Sequence, residues 1–234
     1  MGTRRVIVAL FAAGLVVASG GYLYWRYVWF FRNPPRAVPA EHGLVSPADG
    51  TVVYVRKVEP GEDVVVIKRG LRATVKDIAR EDDGGVKIVI GIFMSPFDVH
   101  YNRAPLTATI DFVRRHAGTG KNAYMGPMHW RTIFRRAPYY RNSVHIVHNE
   151  RAVTRFVGDY RGEVLAFYVV QIGARTVDGI DTYYEPGERV ERGATFGMIR
   201  IGSQVDLIVP WRKGLQARVE PGASVRAGES ILVQ

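Results

Sequence analysis

EPGERV (Glu185–Val190) and EPGASV (Glu220–Val225) are near-copies, each followed by a second glycine turn at Gly193 or Gly228. A similar EPGEDV occupies Glu59–Val64. Proline presets the first turn dihedral and glycine accepts the positive φ that follows, so each copy marks a tight reversal between short strands. Outward from these turns the chain keeps a strand pattern. Gly50–Val58 (GTVVYVRKV), Asp63–Ile67 and Val86–Phe93 (VKIVIGIF) are β-branched runs bounded by turn residues. Val144–Val147, Ala152–Phe156, Glu163–Ile172, Phe196–Ile201 and Val205–Val209 follow as further predicted strands. Thr119–Tyr140 mixes aromatic with basic residues and reads as an irregular lid or membrane-facing loop.

The fold class is therefore mainly β (β-rich α+β), and the repeated hairpin resembles the folded-over sheets of lipoyl-carrier and barrel-sandwich domains. No lysine stands at a lipoyl-type hairpin tip, so the repeat is structural rather than a cofactor carrier.

The N-terminus has a different character. Val6–Trp25 (VIVALFAAGLVVASGGYLYW) carries no charge and matches the length that spans a hydrocarbon core. Arg4 and Arg5 precede it, Arg26, Arg32 and Arg36 follow it, and Tyr22, Tyr24, Trp25, Tyr27 and Trp29 form an aromatic belt. A cleaved signal peptide would end in small residues instead. Residues 1–31 are expected to be a retained anchor, either transmembrane or re-entrant, since Gly20-Gly21 can break a helix. The larger basic cluster after the anchor predicts a cytoplasmic catalytic domain at the cell membrane. A Pro-rich linker (32–43) and one folded body (44–234) complete the organisation.

Bulk composition narrows the function. Hydrophobic content of 47% and charged content of 23% exclude wholesale disorder. The absence of cysteine excludes disulfides, a thiol nucleophile and thiolate metal sites. The formal charge of +10 calls for an anionic partner. The arginines are scattered through strand-like segments without a recognition helix, which favours a membrane surface and predicts no nucleic acid partner.

Gly202-Ser203 lies between two predicted strands. By itself a Gly-Ser pair is usually a turn. It also permits a serine hydroxyl to attack the preceding carbonyl where glycine lets the backbone bend, and the resulting ester can β-eliminate to leave an N-terminal pyruvoyl group.

Three blocks sharpen this reading: SPADG (Ser46–Gly50), FMSPFDVHYNRAP (Phe93–Pro105) and GERVERGATFGMIRIGSQVDLIVP (Gly187–Pro210). In this order, with Phe30–Pro34 at the anchor exit and Asn149-Glu150-Arg151, they resemble the phosphatidylserine decarboxylase proenzymes of the short prokaryotic type. Archaetidylserine decarboxylase relatives share the same blocks. The resemblance covers most of the chain and is weakest over Thr119–Arg141.

The resemblance implies a proenzyme that cuts itself between Gly202 and Ser203 into chains 1–202 and 203–234, which stay together as a heterodimer. Ser203 would become the pyruvoyl cofactor and form a Schiff base with the serine amine of an anionic aminophospholipid. That imine would withdraw electrons from Cα as carbon dioxide leaves, with no external cofactor or metal. The family blocks also point to His100 and Asp49 for acid-base work, since an aspartate can orient an imidazole that moves protons near neutral pH. The longer bacterial enzymes resemble a His-x-x-His pattern. Here the second position is Arg103, which could instead bind a substrate phosphate or carboxylate.

The remaining histidines do not define a site. His145 and His148 lack further ligands at zinc spacing, so no metal is expected. His116 and His129 flank the weakly matching segment, and Gln171 and Gly173 read as core. Two alternatives stay open: archaetidylserine as the substrate, and a non-enzymatic membrane-anchored barrel-sandwich adaptor.

Overall fold

The computed structural model describes residues 2–175, 179–200 and 202–234. The last residue of the predicted strand Phe196–Ile201 and the first residue of the predicted anchor lie outside the described residues. The chain divides into two compact units, one ending at Pro34 and the other running Pro35–Gln234.

The first unit is one apolar helical run. Helix α1 (Gly2–Tyr24) passes into a π-helical turn at Trp25–Trp29, and no residue of α1 is buried. The run of 28 residues is roughly 40 Å long at the α-helical rise, more than the ~30 Å hydrocarbon core needs. It continues through Gly20-Gly21, so the break that a re-entrant hairpin requires is not formed there. At its end the Arg32 guanidinium lies 4.2 Å from the Trp29 ring centre.

The second unit is strand-rich, with folded sheets. In chain order it begins β1 (Leu44–Val45), β2 (Gly50–Val58), β3 (Asp63–Lys68) and β4 (Leu71–Thr74), followed by helix α2 (Val75–Ala79). Strands β5 (Lys87–Met94), β6 (Tyr101–Arg103) and β7 (Ala108–His116) lead to α3 (Gly126–Ile133) and α4 (His145–His148). Then come β8 (Arg151–Tyr160), β9 (Glu163–Gly173), β10 (Ile180–Thr182), β11 (Arg189–Val190) and β12 (Thr195–Ile199). The chain closes with β13 (Ser203–Pro210), β14 (Ser224–Val225) and β15 (Ile231–Val233).

The main sheet has eight strands in the order β11-β7-β8-β9-β13-β5-β2-β14, and a three-stranded sheet runs β10-β12-β6. Strand β13 sits inside the main sheet, antiparallel to both β9 and β5. Every residue of β5 is buried, as an almost unbroken apolar run requires when both sheet faces are covered. Period-2 alternation sends Ile90, Ile92, Val205 and Leu207 into one core and Val89, Phe93 and Ile208 into another on the opposite face.

Two predicted segments differ. Val144–Val147 is expected as a strand, but His145–His148 forms a helical turn. The cause is tertiary: the buried Arg151 guanidinium donates to the carbonyls of Asp77, Ile78, Ile146 and Asn149, which fixes this segment as a cap over α2. In the predicted irregular region, α3 forms with Pro127 in its first turn and buries Met128.

Candidate active site

Cross-strand register places Ser203 opposite Met94 on β5 and Gly173 on β9. The serine side chain is fully buried and its Oγ donates to Met94 Sδ at 3.1 Å. The preceding Gly202 has φ +71, a left-handed conformation that glycine adopts without a Cβ clash. Its carbonyl oxygen accepts the backbone N–H of Ala174 at 3.1 Å. The carbonyl carbon next to Ser203 is therefore already polarised by a fixed donor.

His100 enters from the β5–β6 turn. Its backbone oxygen accepts from Ile199 N, and the neighbouring Tyr101 pairs with Met198, so the histidine is delivered alongside the segment leading to Gly202. The imidazole is fully buried, and its Nδ1 lies 3.0 Å from the backbone oxygen of Asp98. A carbonyl only accepts, so this contact places the proton on Nδ1 and leaves the Nε2 lone pair as the basic position. The turn itself is held by Asp98, whose carboxylate accepts from Ser95 N at 2.7 Å.

Asn102, two residues on from His100, is also fully buried. Its Nδ2 donates to Pro47 O at 3.3 Å and contacts Met94 Sδ at 3.9 Å, while its Oδ1 accepts from Gln171 Nε2 at 2.8 Å. Gln171 pairs with Val205 on β13, two residues from Ser203 and on the same sheet face. The Gln171 Oε1 is buried without a hydrogen-bond partner among the described residues. Such an orphaned acceptor is costly unless something donates to it.

Asp49 takes another position. Its Oδ2 accepts from Arg36 at 2.7 Å and its Oδ1 from Ala227 N at 2.8 Å, so both oxygens tie the 46–50 loop to segments 36 and 227. The bond that orients the His100 ring through Nδ1 comes from Asp98 instead. Gly50 follows Asp49 at a close approach, where a Cβ would meet Phe93 O at 2.1 Å. Arg103 donates to Gly193 O at 2.8 Å, and strand alternation turns its side chain away from the Asn102 face. Burial and the nearby Arg36 lower the Arg103 pKa, opposed by Asp49 and Glu229.

The remaining predicted positions separate. His145 Nε2 lies 2.9 Å from Gln204 Oε1, whereas His148 Nδ1 lies 2.6 Å from Thr119 Oγ1 at the surface. His116 is half-buried at the end of β7. His129 packs against Phe93 with ring centres 5.9 Å apart. It helps line a cavity of about 100 Å3 together with Met94, Tyr124, Ala174 and Gly202.

A polar cluster that sequence reading missed lies on the opposite face of β13. Tyr54 OH donates to Asp206, Gln204 Nε2 donates to Asp206 Oδ2 at 3.0 Å, and Gln204 continues to His145. Burial pushes Asp206 up to about 7, although Tyr54, Gln204 and Arg151 pull it down. Burial pushes His145 down to about 4 against the Gln204 bond. The available signal was an aspartate inside the otherwise apolar run Val205–Val209.

This architecture places a Gly-Ser junction at the start of a buried strand, with Gly202 lining a small cavity and the buried His100 bonded through its backbone oxygen to Ile199 ahead of the junction. The phosphatidylserine decarboxylase family model matches residues 23–233. A putative archaetidylserine decarboxylase proenzyme of Methanopyrus kandleri is 35% identical over 88% of this chain and 80% of its own length. Phosphatidylserine decarboxylase proenzymes of Symbiobacterium thermophilum and Trichlorobacter lovleyi are 34% and 37% identical, over 97% and 88% of this chain and 86% and 74% of theirs. The chain belongs to the phosphatidylserine decarboxylase family.

Proposed function

We propose that this chain is a membrane-anchored proenzyme that cleaves itself at Gly202-Ser203 and decarboxylates the serine headgroup of a phospholipid. The observation that carries this reading is the Ser203 junction, where a buried hydroxyl follows a left-handed glycine whose carbonyl accepts the Ala174 N–H.

In self-cleavage, Ser203 Oγ attacks the Gly202 carbonyl carbon and its proton moves to a base. The amide nitrogen leaves protonated, giving an ester. Loss of the Ser203 Cα proton then expels the Gly202 carboxylate, and water displaces the nitrogen as ammonia to leave a ketone at the new N-terminus. Ala174 N–H stabilises the developing oxyanion, and His100, with its proton held on Nδ1, supplies Nε2 as the base.

The surroundings leave a place for an amine beside a pyruvoyl group at position 203. Gln171 Oε1 is an acceptor on the same face without a partner among the described residues, to be met by a donor such as an amine, and the cavity reaches the adjoining Gly202. When formed, that group supplies an electron sink for a substrate amine. Gln171 Oε1 would accept a hydrogen bond from that amine, and the buried His100 would return a proton to the substrate after carbon dioxide departs.

Strands β13, β14 and β15 all belong to the 203–234 product and pair with β5, β9, β2 and β1 of the 1–202 product. This interleaving would hold the cleaved chains together as a heterodimer. Asp49 contributes through Ala227 N–H, and Arg103 donates to the Gly193 turn. The uncharged stretch Val6–Trp25 of the helical run would serve as the membrane anchor, with the basic exit favouring a cytoplasmic body.

Intact-mass analysis tests the reading. Purified chain should resolve into two products, the shorter beginning with a pyruvoyl group, and Ser203→Ala should give only full-length protein of 26.2 kDa. Uncleaved parent chain in the presence of lipid would end the proposal. Incubation with diacyl and archaeal ether forms of the serine lipid, followed by extraction, assigns the lipid backbone.

A further inference from the structure

Helix α3 has two apolar sides. Met128 faces the core, yet Trp130, Ile133 and Phe134 are 56%, 54% and 60% exposed. Their i, i+3, i+4 spacing puts them on one stripe. The Trp130 and Phe134 rings stack at 5.9 Å and 17°, so the stripe is already organised. The nearby cavity reaching Gly202 is bordered by Tyr124 and Pro96, and Tyr124 and Phe97 are themselves exposed.

Within the segment that carries this stripe the charges have one sign. Residues 121–141 contain Lys121, Arg131, Arg135, Arg136 and Arg141 and no aspartate or glutamate. The Arg136 guanidinium lies 5.8 Å from the Phe134 ring centre. Exposed aromatics interleaved with arginines match an interface between acyl chains and anionic headgroups. A second copy of the chain fits poorly, because a two-fold contact would set this positive segment against itself.

We infer that α3, with Tyr124 and Phe97, inserts shallowly into an anionic phospholipid bilayer and presents lipid headgroups to the cavity at Gly202. This rests on the phospholipid-decarboxylase reading, and it adds a contact separate from the N-terminal helix.

The chain contains no cysteine, so single labels are clean. Nitroxides would be placed through Phe97→Cys, Ile133→Cys and, as a control, Val164→Cys. Val164 is 69% exposed and lies at the far end of β9 from Gly173. The full chain is reconstituted in phosphatidylcholine vesicles with one-third phosphatidylglycerol, and collisions with oxygen and with a water-soluble nickel chelate are compared. Labels at 97 and 133 should favour oxygen, and the label at 164 should favour nickel. The variant Trp130→Ser/Ile133→Ser/Phe134→Ser should release carbon dioxide from vesicle substrate at least about tenfold more slowly, because interfacial binding scales with buried apolar area. On monomeric dihexanoyl phosphatidylserine it should match the parent within about twofold.

Nickel access at 97 and 133, or shielding from both reagents as in a protein contact, overturns the inference. Equal losses on both substrates overturn it too. If the parent releases no carbon dioxide from either substrate, the functional reading fails, while the label depths still decide the surface.

Discussion

The backbone N–H of Ala174 donates to the carbonyl oxygen of Gly202 at 3.1 Å, across the junction where β9 ends and β13 begins. A donor already aimed at this oxygen lowers the barrier to attack by Ser203 only if it strengthens as negative charge develops. Ala174→Pro removes the N–H, and self-cleavage should slow by about 10²–10³-fold, the usual cost of one oxyanion donor. Ala174→Ser keeps the N–H and should cleave at nearly the parent rate. Timed denaturing gels on both variants, with circular dichroism to verify folding, check this. Equal slowing in the two variants would assign the effect to packing.

The His100 ring is held at Nδ1 by the backbone carbonyl of Asp98. His100→Gln should therefore lose proton transfer while leaving the buried turn nearly intact. Decarboxylation should fall by about 10²–10⁴-fold, as for loss of a positioned acid or base. Cleavage should slow as well, because the same Nε2 serves both steps in the proposed scheme. Carbon dioxide release per cleaved chain separates the two effects. Unchanged turnover by the cleaved fraction would remove His100 from the second step.

Asp49 makes the opposite prediction. Its oxygens are held by Arg36 and Ala227 N–H, and the Arg36 and Asp49 side chains are only 6% and 13% exposed. Asp49→Ala leaves Arg36 with the more distant Glu229, at 3.6 Å, and strips the acceptor from Ala227 N–H, which should cost about 1–3 kcal/mol. Asp49→Asn keeps an oxygen for Ala227 and should recover part of that loss. A thermal melt on the uncleaved Ser203→Ala background reads stability, and gel filtration after cleavage reads retention of the short chain. If Asp49→Ala melts like the parent yet cleaves slowly, the aspartate acts in the chemistry instead.

Much of this architecture was legible because strand signals are local. The runs read at Gly50–Val58, Val86–Phe93 and Glu163–Ile172 form β2, β5 and β9 to within a residue at each end, alternating or staying apolar according to burial. The Val144–Val147 segment misled because its local preference is extended, while Arg151, buried and bonded to four carbonyls, imposes a helical turn from outside the segment. The proposed site divides in the same way. Ser203 and His100 fall in recognisable blocks, but Gln171 and Ala174 would act through strand register and a backbone N–H, which side-chain identity does not encode. Asp49 was legible as a position and not as a partner, since Arg36 and Ala227 reach it from distant segments.

A buried titrating pair, Asp206 and His145, lies on the other face of β13. Asp206, Gln204 and His145 form a chain of hydrogen bonds, joined by Tyr54 from β2 and near Arg151 from β8. Burial raises Asp206 from its ordinary 3.8 to about 7, so the folded protein holds this proton more tightly than the unfolded chain. Its contribution to stability is full below about pH 4 and is lost as pH rises toward 7. His145 is depressed from 6.5 to about 4, so its contribution is full above pH 6.5 and is lost as pH falls toward 4. The two slopes oppose each other in nearly the same window, and the melting temperature of the Ser203→Ala chain should change little between pH 4 and 6.5 from this pair. Asp206→Asn on that background removes the first slope while keeping an oxygen for Tyr54. The His145 slope should then appear alone, about 3 kcal/mol across the window at 1.36 kcal/mol per pKa unit, or roughly 10 °C of rising melting temperature. Adding His145→Gln should flatten the profile again. Thermal melts in matched buffers at constant ionic strength measure all three, and an Asp206→Asn profile as flat as its parent would show that the pair does not titrate in this way.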